Sequence, residues 1–477
     1  MTRGEIQAIV KCSATGKRAV KRTSSIVKQA FLTVDLGFGD AGKGTIVDYL
    51  VRQHDAHTVI RFNGGPQAGH RVVERCPDGT QREHVFAQFG SGTLAGAATH
   101  LSQYMLIDPI AMLAEAHQLR TLLAADPFAN STIDCRAVVV TPYQRAINRL
   151  REMARGRARH GSCGMGIGET MTDWLAHGDQ ILFAGDLCHL DRLRSKLAFL
   201  RRINQAKVAT IQAALPNSTA VVDELALLYD DDDTWLLDSY RTFIALAQIV
   251  SENYLATILQ RSGTVVFEAA QGVLLDEWRG FHPYTTWSTT TLANAEALLA
   301  EHAYDGTVTR TGITRAYATR HGAGPFVTED ATLTAQLPDA CNHNSAWQQG
   351  FRVGWLDLVM LRYALAVAGP LDGLALTCLD RLADQPSIRL CTHYSQSDGQ
   401  HIDALTPSPR LQDLVYQEKL TALLEECQPH YTRVASIAEL PATLASTLGI
   451  PVNICSHGPA ATDKVALPTA QCATVEP

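Results

Sequence analysis

The sequence predicts an α/β architecture: one large, mostly parallel sheet with helices on both faces. Three observations point to it. Short apolar runs recur and end in Gly or polar residues: "AFLTVDLGFGD", "AHTVIRFNGG", "VVFEAAQG", "GLALTCLD" and "IPVNICSHGP". Helix-like segments lie between or beside them, among them "GTIVDYLVRQ", "IDPIAMLAEAHQLRTLLA" and "GWLDLVMLRYALAVAG". Polar motifs sit at the run ends. Short apolar strands alternating with helices indicate a parallel sheet covered on both faces. Ligands of such sheets collect beyond the carboxyl ends of the strands, so the polar motifs are expected to share one site.

Composition narrows the partners. The chain has 477 residues, enough for one large elaborated unit. Its net charge of −7 argues against nucleic acid as the main partner, though a local cationic pocket is compatible with it. The eleven cysteines are scattered without C-x-x-C, which suits a reducing cytosol and small buried apolar roles. No apolar run reaches the length of a membrane span, so a cytoplasmic protein without a membrane partner is expected.

Residues 1–30 read as a flexible basic arm, with "KCSATGKRAVKRTSSIVKQ" rich in Lys, Ser and Thr. Residues 31–470 read as a single catalytic domain with a helical insertion near 190–262. Within the insertion, Asp230 to Asp233 of "YDDDDTW" are expected in a solvated loop. Adjacent side chains do not converge on a metal unless the fold turns them inward.

The stretch "GFGDAGKGT" carries Gly37, Gly42 and Lys43 in a G-x-x-x-x-G-K pattern. A P-loop would continue with Ser or Thr to hold magnesium; here Gly44 follows, and Thr45 comes one place late. Glycines let backbone N–H groups approach phosphate oxygens, and a following helix adds its positive end. Asp40 inside the loop would repel phosphate unless a cation or a proton transfer employed it. It therefore points to Mg²⁺ binding, general base action or both.

Three further motifs follow. In "RFNGGPQAGHR", His70 comes after two glycine turns, and Gly64, Gly65 and Gly69 allow a close backbone approach. A surface or capping histidine is the competing reading. In "FEAAQGVLLDEWRGFHPYTTWSTTT", Gln271, Thr285 and Thr286 suit a base or a phosphate, and equally suit turn capping. Asp380 of "LTCLD" can accept two hydrogen bonds from N1–H and the 2-amino group of guanine; a helix N-cap is the alternative.

In this order and spacing the motifs resemble those of the adenylosuccinate synthetases. "GDAGKGTIVD" is similar to G-D-E-G-K-G-K-x-V-D, "NGGPQAGH" to G-G-x-N-A-G-H, and "GSCGMGIG" to G-T-T-G-R-G-I-G. "FEAAQGVLLD" with "YTTWSTTT" resembles F-E-G-A-Q-G-x-x-L-D followed by Y-V-T-S-S-N-T-T. "YATRHGAGPFVTE" and "GWLDLVMLR" match closely, "LTCLD" resembles L-T-K-L-D, and "SHGP" resembles S-T-G-P. The resemblance spans about 31 to 466 and implies a fold related to the P-loop NTPases, a homodimer, GTP as co-substrate and Mg²⁺.

It also implies a two-step reaction. GTP phosphorylates the C6 carbonyl oxygen of inosine monophosphate (IMP), and the amine of aspartate then displaces the phosphate. By resemblance, Asp40 is base and metal ligand, and the Gly69 carbonyl completes the metal site. His70 is the acid. Lys43 with Gly39, Gly42, Gly44 and Thr45 cradles phosphate, while Asp380, Ser456 and Gly458 read guanine. Gln67, Cys163, Gln271 and Thr286 match positions that hold the nucleotide substrate; Gln349 and Arg352 match the amino-acid loop.

The departures cluster in the recognition shells. Where the family has G-x-T-T-G-R-R-R-R-T-G-W-L-D, this chain has "NSAWQQGFRVGWLD", keeping only Arg352 of the arginine run. Arginines grip carboxylates through charge-assisted forks, so a donor other than aspartate is a second expectation. Gln67, Cys163, Met165 and His177 replace Asn, Thr, Arg and Arg; a non-IMP acceptor follows as an alternative. Ala41, Arg71 and Cys378 replace Glu, Thr and Lys. A viral branch that takes a guanine nucleotide lacks the loop aspartate, and Asp40 separates this chain from it. A phosphotransferase stopping at the phosphorylated intermediate and a non-catalytic nucleotide-binding paralogue complete the alternatives. Intact Asp40, Lys43 and His70 weigh against the last.

Overall fold

The computed structural model describes residues 28–468 apart from 160, 340–341, 343–346 and 348–349. The expected sheet is present. Ten strands, numbered in chain order, are β1 (Lys28–Asp35), β2 (Thr58–Arg61), β3 (Ala98–Leu101), β4 (Ser131–Asp134), β5 (Gln248–Val250), β6 (Gly263–Glu268), β7 (Thr307–Arg315), β8 (Gly373–Thr377), β9 (Val452–Ser456) and β10 (Lys464–Ala466). Across the sheet they run β10-β9-β8-β7-β1-β6-β2-β3-β4-β5. All neighbours are parallel except β10, which returns antiparallel along β9.

Strand β1 lies inside this order, and its side chains alternate between two cores. Ala30, Leu32 and Val34 enter one cluster with Phe267 and with Leu255, Leu298 and Val359 from three helices. Phe31 enters another with Val266, Ile313 and Ile46, Val47 and Leu50. The last three belong to helix α1 (Lys43–His54), which follows the glycine loop. Both faces of β1 are thus dry, which is why its sequence reads as an unbroken apolar run.

Two boundaries differ from the sequence reading. Strand β1 starts at Lys28, so residues 28–30 are sheet rather than arm; positions 1–27 lie outside the described residues. Within 190–262, helices Leu190–Ile211, Thr219–Tyr229 and Thr234–Leu246 pack into a separate apolar cluster. The chain then re-enters the sheet as the edge strand β5, too short at three residues to show a strand period. Asp230, Asp231 and Asp232 are exposed, as a solvated loop requires. Asp233 is not free: it accepts from the Tyr143 hydroxyl at 2.7 Å and from Arg201. No helix among the described residues is long and apolar enough to cross a membrane.

Candidate active site

The loops leaving β1, β2, β6, β7, β8 and β9 emerge on one edge of the sheet. They carry the predicted motifs. The glycine loop leaves β1 at Asp35, a residue that sequence reasoning passed over. Its buried carboxylate accepts from Gly37 N and Ala41 N, each at 2.8 Å, and from Lys43 Nζ at 2.8 Å. Lys43 also donates to the Gly39 carbonyl at 2.5 Å. The loop is therefore wound around one aspartate–lysine pair. The only sequence signal was an acid closing an apolar strand run.

Neighbouring loops brace it. Thr377, at the end of β8, donates to the Ala41 carbonyl at 2.7 Å. Gly42 takes φ 88°, which favours glycine, as the chain turns into α1. From β6, Gly272 presses directly on the loop: a Cβ there would run into Gly37 O and Gly39 N. Gly272→Ala should push the two backbones apart. We expect a loss of about 1–3 kcal/mol and a much larger loss of activity, checked by thermal melts alongside turnover; an unchanged melting temperature would contradict the close packing.

Asp40 lies at the loop's centre, with 24% of its side chain exposed. Burial pushes its carboxyl above the ordinary value, and Asp35 adds to this; His321, Arg315 and Lys43 pull the other way. His321 Nε2 stands 3.5 Å from Asp40 Oδ2, and Arg315 Nε donates to the Asp40 carbonyl. Neither residue was picked out from the sequence.

His70 heads the hairpin His70–Arg75/Gln81–Phe86 and packs on the first turn of α1: a Cβ on Gly44 would lie 2.8 Å from His70 Cβ. Its Nδ1 is 2.6 Å from Glu268 Oε1. Glu268 closes β6 and also accepts from Ser91 N at 2.9 Å and from Ser91 Oγ. Burial holds His70 down at about 4 against the raising effect of Glu268. Burial pushes Glu268 up, but Arg61, His70 and Ser91 outweigh it and hold the carboxyl at about 2. At neutral pH a neutral imidazole donates Nδ1–H to an ionised Glu268, which leaves Nε2 as the ring's other polar atom. Glu268 stands in the quoted "FEAAQG", yet nothing in the sequence ties it to His70, 198 residues away.

The other predicted residues fall around this centre. Both amide atoms of Gln67 are buried without a hydrogen-bond partner among the described residues, which leaves them available to a polar ligand. Gln271 adopts φ 64° beside Gly39. Thr286 donates its N–H to the Leu275 carbonyl at 2.8 Å. Burial pushes the Cys163 thiol up, making it a neutral wall rather than a thiolate. Gly69, exposed, immediately precedes His70. Asp380 is exposed after β8, and Ser456 Oγ donates to the Gly458 carbonyl at 3.1 Å. Thr45 donates to the Pro459 carbonyl at 2.6 Å, so the turn after β9 sits on α1.

Of the loop that the resemblance assigns to the amino acid, Trp347 and Gly350 to Asp357 lie within the described residues. Arg352 bonds Glu329 at 2.7 Å and the carbonyls of Gly322 and Gly324 at 2.7 and 3.0 Å, with only Nε buried and unpartnered. Trp347 lies against Gly164 and under the Arg149 guanidinium, 5.5 Å from its ring centre. His177, where the family carries an Arg, turns its ring to Phe199. Gln349 lies outside the described residues. No group of three or more His, Cys, Asp or Glu among the described residues forms a metal cluster; a site of one carboxylate, one carbonyl and phosphate oxygens would not need one.

Known proteins resemble the chain along most of its length. Residues 33–465 match the family model for adenylosuccinate synthetase. The chain is 32% identical over 445 residues to adenylosuccinate synthetase of Clostridium beijerinckii, covering 90% of this chain and 97% of that protein. It is 31% identical over 451 residues to that of Thermoplasma acidophilum, covering 89% and 94%. In structure it resembles adenylosuccinate synthetase from Plasmodium falciparum, with a TM-score of 0.72 at 20% identity over 92% of this chain and 99% of that one. The succinoaminodeoxyadenylate synthetase of cyanophage S-2L, bound to dGMP and dATP, shares the fold at a TM-score of 0.57 and 18% identity, covering 93% and 96%. The chain belongs to the adenylosuccinate synthetase family of GTP-dependent, C–N bond-forming ligases.

Proposed function

We propose that this protein uses GTP to phosphorylate the carbonyl oxygen of a purine nucleotide, inosine monophosphate or an analogue, and that an amine then displaces the phosphate. The observation that carries the reading is Asp40: a carboxylate set within a phosphate loop, beside Lys43, with its proton affinity raised by burial. A carboxylate so placed suits proton abstraction from a purine held against the loop. Asp40 takes the N1 proton, the freed electron pair moves to the carbonyl oxygen, and that oxygen attacks the γ-phosphorus as GDP leaves. The amine then attacks carbon, the C–O bond breaks towards phosphate, and the amine loses a proton.

His70 and Glu268 serve the same centre. Phosphate groups arriving beside His70 add negative charge, which favours the imidazolium needed for an acid. Mg²⁺, held by Asp40, the Gly69 carbonyl and phosphate oxygens, would neutralise charge on the phosphates. Lys43, the glycine-loop N–H groups and Thr45 hold the triphosphate; Asp380, Ser456 and Gly458 read its base. Gln67, Cys163, Gln271 and Thr286 line the acceptor pocket. A cytoplasmic homodimer completes the reading.

A second reading concerns the donor. Arg352 is bound to its own chain, and no other arginine stands between 340 and 351. The pocket that should grip two carboxylates lacks its fork. An amine with less negative charge than aspartate fits it better. Phosphate release from GTP, measured with inosine monophosphate and a panel of amines, decides both points. We expect an uncharged or singly charged amine to outpace aspartate by about tenfold or more. Turnover with aspartate alone would remove the second reading; release with no amine–acceptor pair would remove the first.

A further inference from the structure

Two lysines of the family motifs are missing here. Thr45 stands where G-D-E-G-K-G-K has its second lysine, and Cys378 where L-T-K-L-D has its lysine. The fold brings the two positions together: Thr45 and Thr377, the neighbour of Cys378, would both lie 3.5 Å from a Cβ on Gly42. A lysine from a third segment reaches the same place. Lys464, the first residue of β10, donates to Thr45 Oγ1, to the Gly458 carbonyl at 3.0 Å and to the Ala460 carbonyl at 2.8 Å. Asp463 and Asp48 act most strongly on its charge, followed by Cys378 and Asp380.

We infer that Lys464 is a positioning residue of the nucleoside triphosphate site: it restores from the C-terminal strand the cation lost at 45 and 378, and it clamps the base-reading turn to the phosphate-loop helix. A lysine that merely protected an edge strand would extend into water. Lys464 is instead 8% exposed, and its three donors meet three acceptors. Burying an ammonium is costly unless its partners are in place. Here the partners are the loop helix and the turn that holds Ser456 and Gly458. Burial lowers the amine to about 8, so it remains charged at neutral pH. Asp463 secures the turn's other side: it accepts from Ala460 N at 2.9 Å, and a Cβ on Gly458 would lie 2.5 Å from its Oδ2.

The inference rests on the reading of GTP as co-substrate, and its test separates the two. The full chain is compared as wild type, Lys464→Thr and the exchange Thr45→Lys/Lys464→Thr. Calorimetry measures GTP and ATP binding; steady-state rates measure the acceptor KM and kcat. Lys464→Thr should weaken GTP binding by about tenfold or more, with the acceptor KM within about twofold. The exchange should recover most of the loss. GTP bound equally by wild type and Lys464→Thr overturns the inference alone, as does an exchange variant that is unfolded or no tighter than the single variant. Wild type that binds neither nucleotide overturns the GTP reading and the inference with it. Should Lys464→Thr not fold, the exchange decides.

Discussion

Replacing Asp40 by Asn is expected to lower turnover by about 10²–10⁴-fold while leaving GTP affinity nearly unchanged. The expectation follows from how the loop is held. Its shape depends on Asp35, which binds Gly37 N, Ala41 N and Lys43, and on Thr377, which binds the Ala41 carbonyl. Arg315 fixes Asp40 through its carbonyl, not its carboxylate. None of these bonds uses the Asp40 side chain, whose carboxylate faces His321 at 3.5 Å. Asn keeps its volume and removes only its charge and its capacity to take a proton. Turnover measured beside GTP titrations checks the result. A variant with near-normal kcat would strip Asp40 of the base role; one that no longer bound GTP would show that its charge serves nucleotide binding instead.

The sequence made this part of the candidate site legible because of where its polar residues sit. Asp40, Lys43 and His70 occupy glycine-rich turns after apolar runs, where a polar residue is conspicuous. The residues that hold them are not conspicuous. Asp35 and Glu268 are the last residues of β1 and β6, where an acid reads as the strand's end. Their meaning lies in partners: Glu268 with a histidine from another loop, Lys464 with a threonine 419 residues earlier. No local pattern encodes such pairs; the sheet order creates them. The same applies to β5, whose three residues join the sheet edge after a long helical stretch. The architecture was therefore readable from run lengths and spacing. The second layer of the site appeared only once the strands were placed side by side.

The largest loss of stability is expected at Asp35. Its side chain is fully buried and that of Lys43 is 1% exposed, with 2.8 Å between them. Removing one member of a buried pair leaves an uncompensated charge and costs about 3–5 kcal/mol. Asp35→Asn does so and also turns an amide donor towards one of the two loop N–H groups or Lys43. Pairing it with Lys43→Met removes the stranded charge, so a large part of the stability should return, while the Asn amide facing a loop N–H keeps its share of the cost. Function should not return with it, since the cation proposed to face the phosphates is gone and Asn offers one acceptor where Asp35 offered two to the loop. Denaturant unfolding of the single and double variants, read beside GTP binding, tests the point. Recovery of both stability and GTP binding in the double variant would mean that the pair holds the loop only as filler. Recovery of stability alone would show that a buried ion pair is retained here for the shape and charge it gives a phosphate site, at the expense of the fold's own stability.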